Sequence, residues 1–400
     1  MTADTLLERI TDYANRPNPY PLYAELRAAG VARQTDGSYL LGTYHDIVAL
    51  LHDPRISADP RSRSVPRGDR SEEGLHLPFL RLDDPEHHRL RTLAMRPFGP
   101  PHSPGRVDAM RGEIARITEE LLEALQGRKQ IDVVDDFAYP LPVTVICRLL
   151  GVPREDEPLF RAWSDVIVDS ADVRPGEATE RVRAGQQAHA EMGQYLVDLA
   201  ERRRGQPTGD MLSAFINEPD PAGQRLTGEE LAVTAVLLLI AGHETTVNLI
   251  TNGVLTLLRH PDQLDRLRRE PDLLPRAVEE LLRYEPPVHM RERFPLADVD
   301  VAGTTIPKGT PMVLVLASAN RDPKRFRDPD RFDPARPDNE HVGFGSGIHL
   351  CYGAPLARVE AQIALRALIP RLGTARLVQD PPPYRRNAML RGPRHLPIEF

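Results

Sequence analysis

The chain has 400 residues, carries 51 Lys and Arg against 58 Asp and Glu for a formal charge of −7, and is 40% hydrophobic. That length holds one large core or two ordinary ones, the patterned apolar content excludes a disordered chain, and the acidic balance gives no overall attraction to nucleic acid or anionic lipid. Two cysteines, Cys147 and Cys351, exclude a disulfide framework and a cysteine-rich metal site.

The first residues, MTADTLLERITDY, place acids early and lack a basic stretch followed by an apolar run, so no signal peptide is expected and the expected location is cytoplasmic. Residues 38–44 read as a short strand element, and 61–74 as a polar, charged loop. Helical periodicity covers 107–125, 140–150, 179–203 and 227–259. Thr227 followed by Glu230 is a capping-box signature opening the last of these, a pattern of about 32 residues and therefore about 48 Å long. A helix of that length is expected to form a spine through the core. Its mostly apolar stretch, Leu231 to Gly242, is shorter than the roughly 18 residues of a bilayer span, so no membrane anchor is expected. Pro261 and Pro275 suit the first turns of two further helices, the second stopped by Pro286-Pro287. Residues 299–316 alternate in polarity and turn at Gly303 and Lys308-Gly309, as strands do. From Asn320 to Asn339 Pro, Asp and Arg concentrate in a structured loop. The 39 prolines, about twice the usual share, therefore punctuate helix ends and this meander. Neither a repeat nor an interdomain linker is visible. A single domain over 1–400 is expected, mainly α with a small β region (α+β), built around the long central helix.

The most informative segment is Phe344-Gly-Ser-Gly-Ile-His-Leu-Cys351-Tyr-Gly353, followed by Ala-Pro-Leu-Ala-Arg358. Gly345, Gly347 and Gly353 bracket one thiol, and Pro355 suits the first helical turn after it. A cysteine just before a helix has its thiolate favoured by free backbone N–H groups and by the helix dipole. The glycines let the backbone approach something large and flat. A thiolate serving as the sole protein ligand to an iron would use this arrangement. Other chemistries fail on residue count. The glycines do not form a dinucleotide loop, His349 and Cys351 supply only two zinc ligands, and the His243-Glu244 pair lacks the second histidine of a zinc-protease helix. Cys147 reads as a small buried hydrophobe.

This segment resembles the heme-binding loop of the cytochrome P-450 family, and the resemblance extends in family order over essentially the whole chain. It implies that Cys351 is the axial thiolate of a heme b, that Phe344 packs beside it, that Gly345 and Gly353 make room, and that His349 contacts a propionate. It likens Ala241, Gly242, Glu244 and Thr245 to the family's oxygen-activation motif, with Thr245 holding water beside dioxygen and Glu244 passing protons. A Thr at that place can also bond back to the carbonyl four residues earlier and notch the helix. The resemblance assigns His87 and Arg91 to the propionates, with His88 the competing register, and adds Arg293 in preference to Arg291. Glu280 and Arg283 match the family's structural Glu-x-x-Arg, whose partner in the meander is Arg331 or Arg336.

The implied reaction inserts one oxygen atom of O2 into a C–H or C=C bond. Leu238 shares a helix face with Ala241 and Thr245, and the resemblance adds Val288, His289 and Met389 to the pocket, roofed by Leu77 to Leu80. The lining is mainly apolar, which suggests a bulky hydrophobic small molecule of terpenoid, steroid, polyketide or fatty acyl type. Without a flavin fingerprint, electrons from NAD(P)H are expected through a separate ferredoxin and ferredoxin reductase, docking on Arg89, Arg96 and Arg358 of a monomer. A hydrogen-peroxide-using peroxygenase and a non-catalytic heme-binding or carrier-recruiting protein are the alternatives; the Glu244-Thr245 pair speaks against both.

Overall fold

Thr227 opens the longest element of the molecule through a reciprocal cap. Its side chain accepts from the Glu230 N–H at 3.2 Å, and the Thr227 N–H donates to the Glu230 carboxylate at 2.9 Å. The helix then runs over Gly228–Arg259. In this computed structural model, residues 5–64, 76–99, 103, 105–171, 179–220 and 222–400 are described. Most of the polar loop expected at 61–74 lies outside them.

The long helix is the spine that its length predicts. It packs against helices Pro140–Leu150, Thr179–Arg202, Leu274–Tyr284 and Ala354–Leu368. An 18-residue window of it reaches a mean hydropathy of 1.5, so its apolar stretch is longer than Leu231 to Gly242, and by length and composition it could cross a bilayer. Two-thirds of that window is buried inside the protein, so its apolarity serves the core. The pattern at 107–125 divides into Arg106–Ala109 and Arg111–Glu123. Helices Tyr20–Ala29, Tyr44–His52 and Glu157–Ala171 were not foreseen.

Ten short strands occur among the described residues: β1 (Val31–Arg33), β2 (Tyr39–Leu41), β3 (Ile56–Ser57), β4 (Gln130–Asp132), β5 (Met290–Pro295), β6 (Val299–Val301), β7 (Thr304–Ile306), β8 (Met312–Val315), β9 (Arg376–Leu377) and β10 (Pro397–Glu399). The main sheet has the order β1-β2-β8-β5-β3, the second β4-β10-β9, and β6-β7 form a hairpin. Within the main sheet β2 and β8 run parallel, and β5 runs antiparallel to β8 with Arg291 opposite Leu314 and Arg293 opposite Met312. The expected strand at 38–44 is thus β2, shortened because Tyr44 starts a helix. The expected run at 299–316 is β6, β7 and β8, turning at Gly303 and Gly309, both at positive φ.

One buried network joins the helices to the irregular C-terminal third. Glu280 and Arg283 are both fully buried and pair bidentately at 2.8 and 2.9 Å. Arg283 also donates to the carbonyls of Asn320, Pro329 and Arg331. Of the two candidate partners, Arg336 is the one whose guanidinium reaches Glu280, at 3.0 Å; Arg331 supplies only a carbonyl. The Asp333 N–H and Asn339 Nδ2 complete the shell around the carboxylate. A buried ion pair stabilises only when its remaining lone pairs and protons are satisfied, and here they are. Replacing Glu280 with Ala strands two buried guanidiniums and is expected to cost at least about 3–5 kcal/mol. Denaturant unfolding checks this against the exposed Arg116→Ala, whose i,i+4 pair with Glu120 is worth only about 0.5 kcal/mol.

Candidate active site

The Cys351 loop is shaped by its glycines. Gly345 and Gly347 have φ of +72° and +67°, and a Cβ on residue 347 would stand 2.1 Å from the Leu51 carbonyl oxygen. The loop therefore lies directly on helix Tyr44–His52. The Cys351 N–H donates to the Phe344 carbonyl at 2.9 Å, which closes the turn. Gly353 then caps helix Ala354–Leu368, with Pro355 in its first turn. Burial pushes the Cys351 thiol up, while the N–H groups of Gly353 and Ala354 and the guanidiniums of Arg291 and Arg91 pull it down.

Around the loop the protein holds its own position with ion pairs. Arg358 packs over the Phe344 ring, 4.6 Å from its centroid, and donates twice to Glu279, at 2.7 and 2.9 Å. His341 meets the same carboxylate at 3.2 Å. Burial raises the Glu279 carboxyl, but Arg358 and His341 outweigh it and hold it at about 2. Arg89 pairs with Glu230, and Arg96 donates to the Pro219 carbonyl. The three arginines expected as a docking face are thus all engaged within the protein.

A cavity of about 460 Å3 opens beside the thiol. Cys351, Phe344, Gly345, His349 and Gly353 line one side, and Leu238, Ala241, Gly242 and Thr245 from the long helix line another. The Thr245 hydroxyl donates to the Ala241 carbonyl at 2.6 Å, the back-bond expected from the sequence. Val288 and Met389 also line the cavity, as do Phe79 and Leu80, whereas Leu77 is packed in the core.

His289 does not line it. This residue is fully buried, its Nδ1 2.7 Å from the Tyr23 hydroxyl, in an aromatic cluster with Tyr20 and Tyr23. Adjacent residues in extended backbone point to opposite sides, so placing Val288 in the pocket takes His289 out of it. Glu244 is likewise behind the wall. It pairs with Arg385 at 2.9 Å, both nearly inaccessible, and accepts from Asn248 Nδ2 at 3.3 Å. Arg385 lies too far along the chain for any local spacing to have announced it.

The residues present fit a flat dianionic prosthetic group. A Cβ on Gly353 would meet nothing within 4 Å, so the glycine leaves open space beside the thiol that the protein's own packing does not require. His349 keeps both ring nitrogens buried without a hydrogen-bond partner, and His87 does so with Nε2. Their rings lie 4.4 Å apart, while the competing His88 is exposed. Burial, then Arg293, His87 and Arg91, lower His349 to about 3, so it is neutral and has one N–H to donate. Arg91, Arg291 and Arg293 all line the cavity, and burial, then the adjacent Arg291, lower Arg293 to about 10. Arg91 and Arg293, together with the unused imidazole nitrogens, suit two carboxylates. Glu360 was missed from the sequence. It lines the cavity from the helix after Cys351, and burial raises its carboxyl to about 8.

The sequence pattern of the family described as Cytochrome P450 matches residues 33–400. The chain is 44% identical to cytochrome P450 monooxygenase PikC of Streptomyces venezuelae, over 96% of this chain and 91% of that one. It is 41% identical to vitamin D(3) 25-hydroxylase of Pseudonocardia autotrophica, over 95% and 93%. Its structure superposes on that of Mycobacterium smegmatis CYP164A2 with a TM-score of 0.87 at 38% identity, covering 99% of each chain.

Glu279 carries a pH signature. Its folded value lies below the ordinary 4.5, so its contribution is complete above about pH 4.5 and is lost as pH falls toward 2. Glu279→Gln is expected to lower stability by on the order of 2 kcal/mol at pH 6, and by progressively less below pH 4.5. Denaturant unfolding of both proteins across pH 3–6 measures the difference.

Proposed function

The chain belongs to the cytochrome P450 family, and from that premise we propose that it is a heme-thiolate monooxygenase that inserts one oxygen atom of O2 into a C–H or C=C bond of a bulky, largely apolar small molecule. The observation that carries this reading is the placement of Cys351 and Thr245 on two walls of one cavity whose polar end gathers Arg91, Arg293 and His349. Heme b ligated by a thiolate supplies the reductive activation of O2 and the transfer of one of its atoms, the other leaving as water.

The protein's part is positioning, charge and proton supply. Cys351 would hold the iron, its sulfur moderated by the Gly353 and Ala354 N–H groups. Arg91, Arg293, His349 and His87 would hold the propionates. Leu238, Val288 and Met389 keep the substrate side apolar, which excludes bulk water and orients a hydrophobic ligand. Thr245 donates its proton to the Ala241 carbonyl, which leaves its oxygen lone pairs facing the cavity to accept from a water. Glu244 would help pass protons inward from behind the wall. It is linked to Arg385, so reaching the cavity means exchanging that ion pair for water.

We assign electron supply to a separate ferredoxin and ferredoxin reductase drawing on NAD(P)H, and the location to the cytoplasm, where the protein works as a monomer. Two measurements test the assignment. The ferrous protein with carbon monoxide is expected to show the red-shifted Soret band of thiolate ligation, and Cys351→Ser is expected to lose it; a wild-type spectrum without that shift overturns the reading. Thr245→Ala is expected to lower the product formed per NAD(P)H consumed by about tenfold or more, and an unchanged ratio removes Thr245 from proton delivery.

A further inference from the structure

Three arginines line the cavity near Cys351, and two carboxylates are enough to satisfy only two of them. Ferric iron, the porphyrin dianion and one thiolate would sum to zero, so heme b together with its cysteine ligand would carry a net charge of about −2, that of the propionates. Arg291 and Arg293 are two residues apart on β5, so both side chains stand on one side of the sheet. Arg293 acts on His349, within the cluster that also holds His87 and Arg91. Arg91 and Arg293, which line the cavity with His349, would balance the two propionates.

The other titratable groups on the wall do not balance Arg291. Glu292 is paired with Arg63. Glu360 is buried, and burial raises its carboxyl to about 8. Arg81 adds a further cation at the solvent-exposed rim. Among the described residues Arg291 has neither a hydrogen-bond nor an ion-pair partner, and it lines the cavity together with Cys351. The loaded cavity thus retains one guanidinium in an apolar enclosure, a costly arrangement unless an anion arrives with the ligand.

Resting on the heme-thiolate reading above, we propose that Arg291 anchors a carboxylate, or an equivalent monoanion, on an otherwise apolar substrate, so that the enzyme takes bulky organic acids in preference to their neutral esters. A planar guanidinium meets a carboxylate through two parallel hydrogen bonds, which fixes the acid end of the ligand and so the carbon presented for oxidation. The anion brings recognition as well as affinity, because an ester in the same place leaves the buried cation unpaired.

The test uses the heme-loaded enzyme and the spin-state change on ligand binding, titrated with dodecanoic acid and with methyl dodecanoate at pH 7.5. The acid is expected to bind on the order of tenfold to a hundredfold more tightly than the ester. Arg291→Gln is expected to bring that ratio close to one and Arg291→Lys to retain part of it, with heme retained in both. A wild-type ratio near one overturns the proposal, as does a ratio unaltered in Arg291→Gln. If Arg291→Gln instead loses heme while keeping the preference, Arg291 is a third propionate ligand and the proposal is wrong. Failure of the heme-thiolate reading itself shows separately, as the absence of the red-shifted band in the wild-type protein.

Discussion

Glu280 lies at full burial and accepts from Arg283, Arg336, Asn339 and the Asp333 N–H together. Arg283 extends the same network to three meander carbonyls. The segment 320–339 has almost no regular secondary structure of its own, so its path is set by these charge-assisted bonds rather than by a ladder. Val342, directly after it, donates its N–H to the Asn320 side chain, and the next residues are the Cys351 loop. A buried carboxylate on a helix thereby decides where a thiol many residues later comes to rest. The arrangement has the character of a framework: each charge is satisfied locally, and the chemistry is left to residues that are not.

The opposite condition marks the site. Among the described residues His349 and His87 keep unpaired buried nitrogens, Arg291 lines the cavity without a partner, and Gly353 leaves volume unused. Native proteins rarely leave polar atoms buried and unpaired, so unpaired imidazole nitrogens beside cavity-lining arginines point to something bound there.

The parts of this arrangement visible in the sequence are those with fixed short spacing. The capping box of Thr227 and Glu230, the pair Glu280-Arg283, the back-bond from Thr245 to Ala241 and the glycines around Cys351 each act within a few residues, and each is found as read. What escaped depends on contacts between distant segments. Spacing does not choose between Arg331 and Arg336, because the choice is made by how the meander folds over Glu280. The Arg385 partner of Glu244 and the Glu279 partner of Arg358 are invisible for the same reason, and cationic residues that looked free prove to be paired. His289 went astray by one step of strand parity. The long helix also exceeded the apolar length read from its first half, because the second half is buried on more sides than an amphipathic pattern reveals.

The contact between Gly347 and the Leu51 carbonyl has a consequence for how the protein is assembled. It places the wall of the thiol loop on a helix near the other end of the chain, where His52 also meets Ser346 at 2.7 Å. The loop cannot take its final shape until those segments dock, and closing so large a loop is entropically demanding and slow. The pocket for the prosthetic group therefore depends on a contact between segments about 300 residues apart. A fragment beginning after residue 52 would contain Cys351 and the residues that line the polar end of the cavity, yet lack the surface that gives the thiol loop its shape.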